Sequence, residues 1–245
     1  KMSFRYSPNN TKKGITANRI NIGNIYNLNR LGQADSVETG ASMTLGLNYQ
    51  KTNKINNEKK LEINIASNFR NKSESDIPGN TTINRKTSDL IGEIRYQPND
   101  ILNVGYNFSL DNDMSTLNYN YFDGVLQTNN LKTHITYSEE SELFGDGNFI
   151  AADFKYDFNN DTFLTFSTRR NRKISLTEFY NLVWDYKNDC LIASIDYKKT
   201  YYQDRDIKPT ENLFFQITIV PLTSYMSPDL VKKSKKLNKI NPSKW

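Results

Sequence analysis

The chain has 245 residues, a formal charge of +5 and a mean hydropathy of −0.72, and this polarity excludes a bundle of transmembrane helices. With 15 Tyr, 13 Phe and 2 Trp it is too aromatic for a disordered chain. A single cysteine excludes an internal disulfide, and one His beside it argues against a dedicated transition-metal site.

Residues 1–40 read as an irregular entry segment, broken by Pro8, Asn9, Asn10 and Gly14. No apolar leader opens the chain, so the reading is either a cytoplasmic protein or an internal or C-terminal piece of a longer one. Period-two alternation begins at 41–49, with Met43, Leu45, Leu47 and Tyr49 opposing Ser42, Thr44, Gly46 and Asn48. It recurs at 61–69 and, after a long loop carrying Pro78, Gly79 and Asn80, at 90–96. Residues 97–100 (QPND) read as a tight turn. The clearest strand follows, with Leu102, Val104, Tyr106, Phe108 and Leu110 on one face and Asn103, Gly105, Asn107 and Ser109 on the other.

Leu117, Tyr119 and Tyr121 continue the theme, and Asp123-Gly124 reads as a two-residue hairpin signal. Strands follow at 131–137, 150–158 and 163–168, with Asn159, Asn160 and Asp161 as a turn. The pattern weakens over 180–186 and returns at Leu191, Ala193, Ile195 and Tyr197. The final strand, 213–220, places Phe215, Ile217 and Ile219 on one face, and Pro221 ends its ladder. This gives about eleven strands over 41–222, with short turns at one end and longer loops at the other. A basic tail over 223–245 carries Lys232, Lys233, Lys235, Lys236, Lys239 and Lys244. It reads as a solvated terminus ahead of a contact with anionic lipid or nucleic acid.

Most of these strands are longer than the roughly five or six residues usual in a sandwich. They match the nine to eleven or so that a tilted strand needs to cross a bilayer. The expected fold is therefore all-β, an antiparallel transmembrane β-barrel. Tyr49, Tyr96, Tyr121, Tyr137, Tyr156, Tyr197, Tyr201 and Tyr202 would form its interfacial girdle. The polar faces, rich in Asn, Ser, Thr and Gly, would line a hydrated lumen. His134 is the one residue on which a lipid-acting barrel enzyme could depend, and Asp111 and Asp113 lack the pattern of a calcium loop. No catalytic, cofactor or metal residue is assigned. The Asn, Lys and Ile content reads as compositional bias as much as selection.

Two segments go beyond periodicity. Residues 24–30 (NIYNLNR), with Asn29 and Arg30, are followed by Asp35, Glu38 and Gly40 and by 45–49 (LGLNY). This order resembles the lipopolysaccharide-assembly family of the outer membrane, LptD or OstA, in which N-L-F-x-x-N-R precedes D-R-x-E-x-G and Y-G-L-x-Y. Ile25-Tyr26 stands for the family's Leu-Phe, and Ser36 for its Arg. Residues 188–190 (NDC), 205–209 (RDIKP) and 214–217 (FFQI) are similar to the family's closing strands, particularly in alphaproteobacterial members.

The resemblance implies the C-terminal part of a larger barrel that inserts lipopolysaccharide into the outer leaflet through its lumen and a lateral gate. One wall of that gate would be Leu213, Phe215, Ile217, Ile219 and Pro221. Implied partners are outer-membrane lipid, a plug lipoprotein of the LptE type and periplasmic bridge components. No nucleic acid is implied. Cys190 would bridge to a segment outside this chain, with a buried inert thiol as the other reading. The alternative function is another outer-membrane barrel, a porin or a receptor.

Overall fold

The computed structural model describes residues 1–8, 18–32, 38–55, 57–201, 208–219 and 223–225. Among them are thirteen strands that follow one another in sheet order as they do in the chain. They are β1 (Met2–Ser7), β2 (Gly40–Thr52), β3 (Lys59–Arg70), β4 (Leu90–Tyr96), β5 (Leu102–Leu110), β6 (Leu117–Gln127) and β7 (Leu131–Glu140). Then come β8 (Asn148–Asp157), β9 (Thr162–Asn171), β10 (Leu176–Lys187), β11 (Leu191–Thr200), β12 (Thr210–Ile219) and β13 (Thr223–Tyr225). The chain divides into two compact units, Lys1–Leu126 with Ile135–Ile150, and Gln127–His134 with Ala151–Trp245.

In the first unit the register carries each side-chain row across the sheet, because residues directly opposite in an antiparallel pair share a face. One row runs Tyr49, Ile63, Ile94, Tyr106, Phe122, and the next runs Leu47, Ile65, Gly92, Phe108. Leu47 is 78% exposed and Phe4 of β1 is 72% exposed. A continuous apolar face this open is untenable in water and is solvated by hydrocarbon. Gly92 belongs to it: a Cβ there would lie 2.2 Å from the Phe108 ring, which lies across the glycine.

The opposite face holds the unit's core. Ile20, Ile25 and Leu31 from the segment before β2 pack with Ile77 and Ile83 of the β3–β4 connection onto Ala66 and Ile91 of the wall. All seven are at most 3% exposed. Burying each isoleucine contributes on the order of 1.5–3 kcal/mol. Over β2–β4 the polar face is thus packed with protein, where alternation alone suggested a hydrated surface. The entry segment, expected to be irregular, contains β1 and this packed stretch.

In the second unit Leu164, Trp184, Ile195 and Phe215 form one apolar row, and Phe166, Leu182, Tyr197 and Leu213 the next. The weak pattern over 180–186 resolves into β10, with Tyr180, Leu182, Trp184 and Tyr186 on one face. A register shift between Thr177 and Phe179 resets the phase there, and apolar Val183 on the other face blurs it.

The Asp123-Gly124 hairpin is corrected. β6 runs straight through both residues, pairing Asp123 with Gly105 and Gly124 with Val104. Gly105 leaves the Asp123 carboxylate its room, since a Cβ would stand 2.3 Å from Oδ1. The chain turns instead at 128–130, where Thr128 N donates to Leu131 O at 2.8 Å.

Asparagine has a structural use at the turns. Asn99 Oδ1 accepts from Ile101 N and Leu102 N, Asn159 Oδ1 from Asp161 N and Thr162 N, and Asn188 Oδ1 from Cys190 N and Leu191 N. Asn53 and Asn171 repeat the arrangement. Side-chain carbonyls that mimic a backbone turn make Asn a structural choice here.

Candidate functional site

The segment over 18–32 is closed on itself by local hydrogen bonds. Asn21 Oδ1 accepts from Gly23 N at 2.8 Å and Asn24 N at 3.1 Å, while Asn24 Nδ2 donates to Arg19 O at 2.9 Å. This local closure turns Ile20, Ile25 and Leu31 toward the wall. Tyr26 comes closest at Gly46, where a Cβ would meet its hydroxyl at 2.0 Å and the Ile65 carbonyl at 2.8 Å. Only glycine admits the segment there.

Beside this apolar contact is a buried charge cluster. Arg30, 1% exposed, donates from Nε to Glu38 Oε2 at 2.9 Å, from Nη1 to Asn68 Oδ1 at 2.5 Å and from Nη2 to Ser42 Oγ at 3.0 Å. Arg70 donates to the same carboxylate and to the Thr39 carbonyl, and Arg5 Nη1 stands 2.8 Å from Glu38 Oε2. One fully buried carboxylate thus faces three guanidiniums drawn from β1, β3 and the entry segment. Of the residues singled out by sequence, Arg30 and Glu38 are brought together here. Gly40 starts β2 at φ +84°, a conformation that excludes other residues at low cost. Asn29 lies at the surface beside Arg30, and Asp35 is outside the described residues. Arg5 and Arg70 were not anticipated, since nothing local in the chain marks a partner supplied by another strand.

A second buried acid, Asp89, precedes β4. Its Oδ2 accepts from Ser109 Oγ and Asn118 Nδ2, each at 2.8 Å, and Arg85 stands 3.8 Å from Oδ1. Burial pushes its pKa up and Asp111 adds to this, while the bonds from Asn118 and Ser109 oppose them. Asn118 sits where the β5–β6 register shifts, between Ser109 and Leu110. That shift changes the phase of β6. Tyr119 pairs with Ser109 and Tyr121 with Asn107, so both tyrosines lie on the polar face. Tyr121 is therefore not part of an outward girdle, as alternation alone had suggested.

Asp111 pairs with Arg85 at 2.7 Å, and Asp113 Oδ1 accepts from Ser115 N and Oγ. Among the described residues no group of three or more His, Cys, Asp or Glu is placed to hold a metal. His134 lies half-buried within β7. Cys190 is an exposed free thiol in the β10–β11 turn. In its unit that turn lies at the same end as the 158–161 turn, opposite the longer 201–209 connection.

Leu213, Phe215, Ile217 and Ile219 lie on one face of β12, 45–57% exposed. β12 pairs along its length with β11, and among the described residues β13 meets it at Ile217, Thr218 and Ile219. Pairing therefore resumes after Pro221, which itself falls outside the described residues, as do Tyr202, 205–207 and 226–245.

The family model described as "LptD: LPS transport system D" matches residues 1–143. Among curated proteins no sequence matches. Solved structures that match the chain include the KdgM porin, at 14% identity and a TM-score of 0.28, covering 65% of this chain and 84% of that one. Two substituted forms of the Rh. blastica porin, each at 8% identity and a TM-score of 0.36, cover 78% of this chain and 83% of theirs.

Proposed function

Because the chain belongs to the LptD family of lipopolysaccharide transport proteins, outer-membrane β-barrels of Gram-negative bacteria, we propose that it translocates lipopolysaccharide and inserts it into the outer leaflet. The saccharide part would travel along the barrel's polar face and the acyl chains would leave through a lateral gate. The observation that carries this reading is the family match over residues 1–143, a stretch that includes the Arg30–Glu38 cluster. The apolar outer face supports it, because a strand seam opening to lipid needs hydrocarbon-facing side chains on both sides.

The gate is proposed at β12, with Leu213, Phe215, Ile217 and Ile219 as its lipid-facing wall. The exposed apolar row of β12 supports this choice, since a seam that opens to lipid needs hydrocarbon-facing side chains along it. A plug lipoprotein of the LptE type and periplasmic bridge components would complete the machine, and Cys190 would tie the barrel to a cysteine outside this chain. This function requires no bond-making chemistry, so His134 takes no catalytic role.

The experiment is depletion of the full protein in its host, with lipopolysaccharide at the cell surface measured by protease-independent antibody labelling. Surface lipopolysaccharide falls as the protein is lost and recovers on re-expression. Unchanged surface lipopolysaccharide, with loss only of small-solute permeation, would leave a porin in its place.

A further inference from the structure

Two polar rows of the first unit carry groups that neither the packed core nor the charge cluster uses. One runs Asn48, Asn64, Glu93, Asn107, Tyr121 across β2–β6, and the other Gln50, Glu62, Arg95, Gly105, Asp123. Above β4–β6 they open into a cleft of about 440 Å³, lined by Glu93, Arg95, Asn107, Tyr119 and Tyr121 of the wall and roofed by Arg19 and its neighbours. A second cleft, of about 260 Å³, shares Arg95 and continues past Glu62 and Asn103 to Lys59 and Gln97. The pair forms a track from the end of the sheet bearing the short β2–β3 and β4–β5 turns toward the β5–β6 connection.

The chemistry of this track is selective. Tyr119 and Tyr121 present parallel rings, with centroids 6.2 Å apart and planes within 5°. Arg19 covers Tyr119, its guanidinium carbon 3.3 Å from the ring centroid, and is held there by Glu140 at 2.9 Å. Among the described residues no cation covers Tyr121 in this way. Around it the charges are matched: Glu93 accepts from Arg95 Nε at 2.8 Å, and Glu62 from Lys59 Nζ at 3.0 Å. A cleft balanced in charge gives no net attraction for a phosphate. Its many donors and acceptors are poorly suited to an acyl chain. A flat aromatic face beside paired acid, base and amide groups suits a sugar ring, whose C–H faces stack and whose hydroxyls both donate and accept.

We propose that these two clefts are a saccharide-binding track, with Tyr121 as its stacking platform and the Arg19–Tyr119–Glu140 stack as its upper stop. The proposal rests on the transport reading and specifies which surface meets the sugar portion of the cargo. The first cleft lies within the roughly 300–1,000 Å³ of ordinary ligand sites.

The test uses the full-length protein in detergent and, as probe, the core oligosaccharide freed from lipopolysaccharide by complete deacylation. Affinity is read by titration calorimetry, and sugar contacts by saturation transfer from the aromatic protons. Tyr121→Ala weakens binding at least tenfold, Tyr121→Phe stays within about threefold of the parent, and Tyr121→Leu, which keeps bulk without a flat ring, behaves like the alanine variant. Equal affinity in all four proteins overturns the track, and so does saturation transfer that survives Tyr121→Leu unchanged. Neither result touches the transport reading, which fails only if surface lipopolysaccharide is indifferent to the protein's depletion.

Discussion

At the scale of single residues, the feature that most constrains the molecule is Glu38. Its carboxylate is fully buried and meets Arg5, Arg30 and Arg70, so its removal leaves three guanidiniums without their shared counter-charge. Breaking such a buried network by removing one partner costs about 3–5 kcal/mol. Glu38→Gln is therefore expected to lower the unfolding free energy of the folded barrel by that order, read from denaturant titrations followed by heat-modifiable gel mobility. Glu62→Gln is the control. Its partner Lys59 is 55% exposed, and a solvent-screened pair contributes no more than about 1 kcal/mol. Equal shifts for the two variants would contradict the assignment. The order Arg30, Glu38, Gly40 was legible in the chain, but Arg5 and Arg70 were not, because long-range pairing leaves no local signature. Gly40 has its own local reason, a positive φ.

At the scale of elements, period-two alternation located the strands well because one face meets hydrocarbon along their whole length. It failed where phase changes. The shift at Asn118 moved Tyr119 and Tyr121 to the polar face, and in β10 apolar Val183 on the opposite face blurred the alternation of Tyr180, Leu182, Trp184 and Tyr186. Asp123-Gly124 mimicked a turn because glycine and aspartate also serve a strand where a cross-strand neighbour lacks a side chain, here Gly105. The β10–β11 turn carries its own prediction. Asn188 orders it and leaves Cys190 exposed at the end opposite the longer 201–209 connection. Long connections face outward in such barrels, so the proposed bridge places Cys190 on the periplasmic side, where disulfides form. In the full-length protein, non-reducing electrophoresis is expected to show a species shifted relative to the reduced form, absent in Cys190→Ser. Quantitative maleimide labelling of Cys190 without reductant would refute the bridge.

At the scale of the whole molecule, an outward apolar face, a packed entry segment and the proposed saccharide track are what a wall handling an amphipathic cargo would need. Each face suits one part of it. The sequence showed the two faces but not that the first unit's core lies on the polar side, since Ile20, Ile25, Leu31, Ile77 and Ile83 come from stretches without strand periodicity. The central claim is that lipopolysaccharide passes this wall and leaves beside β12. Its most direct test places a photo-cross-linking amino acid at Leu213 of β12 or at Leu102 of β5 in growing cells, and probes the captured product for lipopolysaccharide. Strong capture at Leu213 with little at Leu102 is the expected result. Equal capture at both positions, or none at Leu213, would contradict the account.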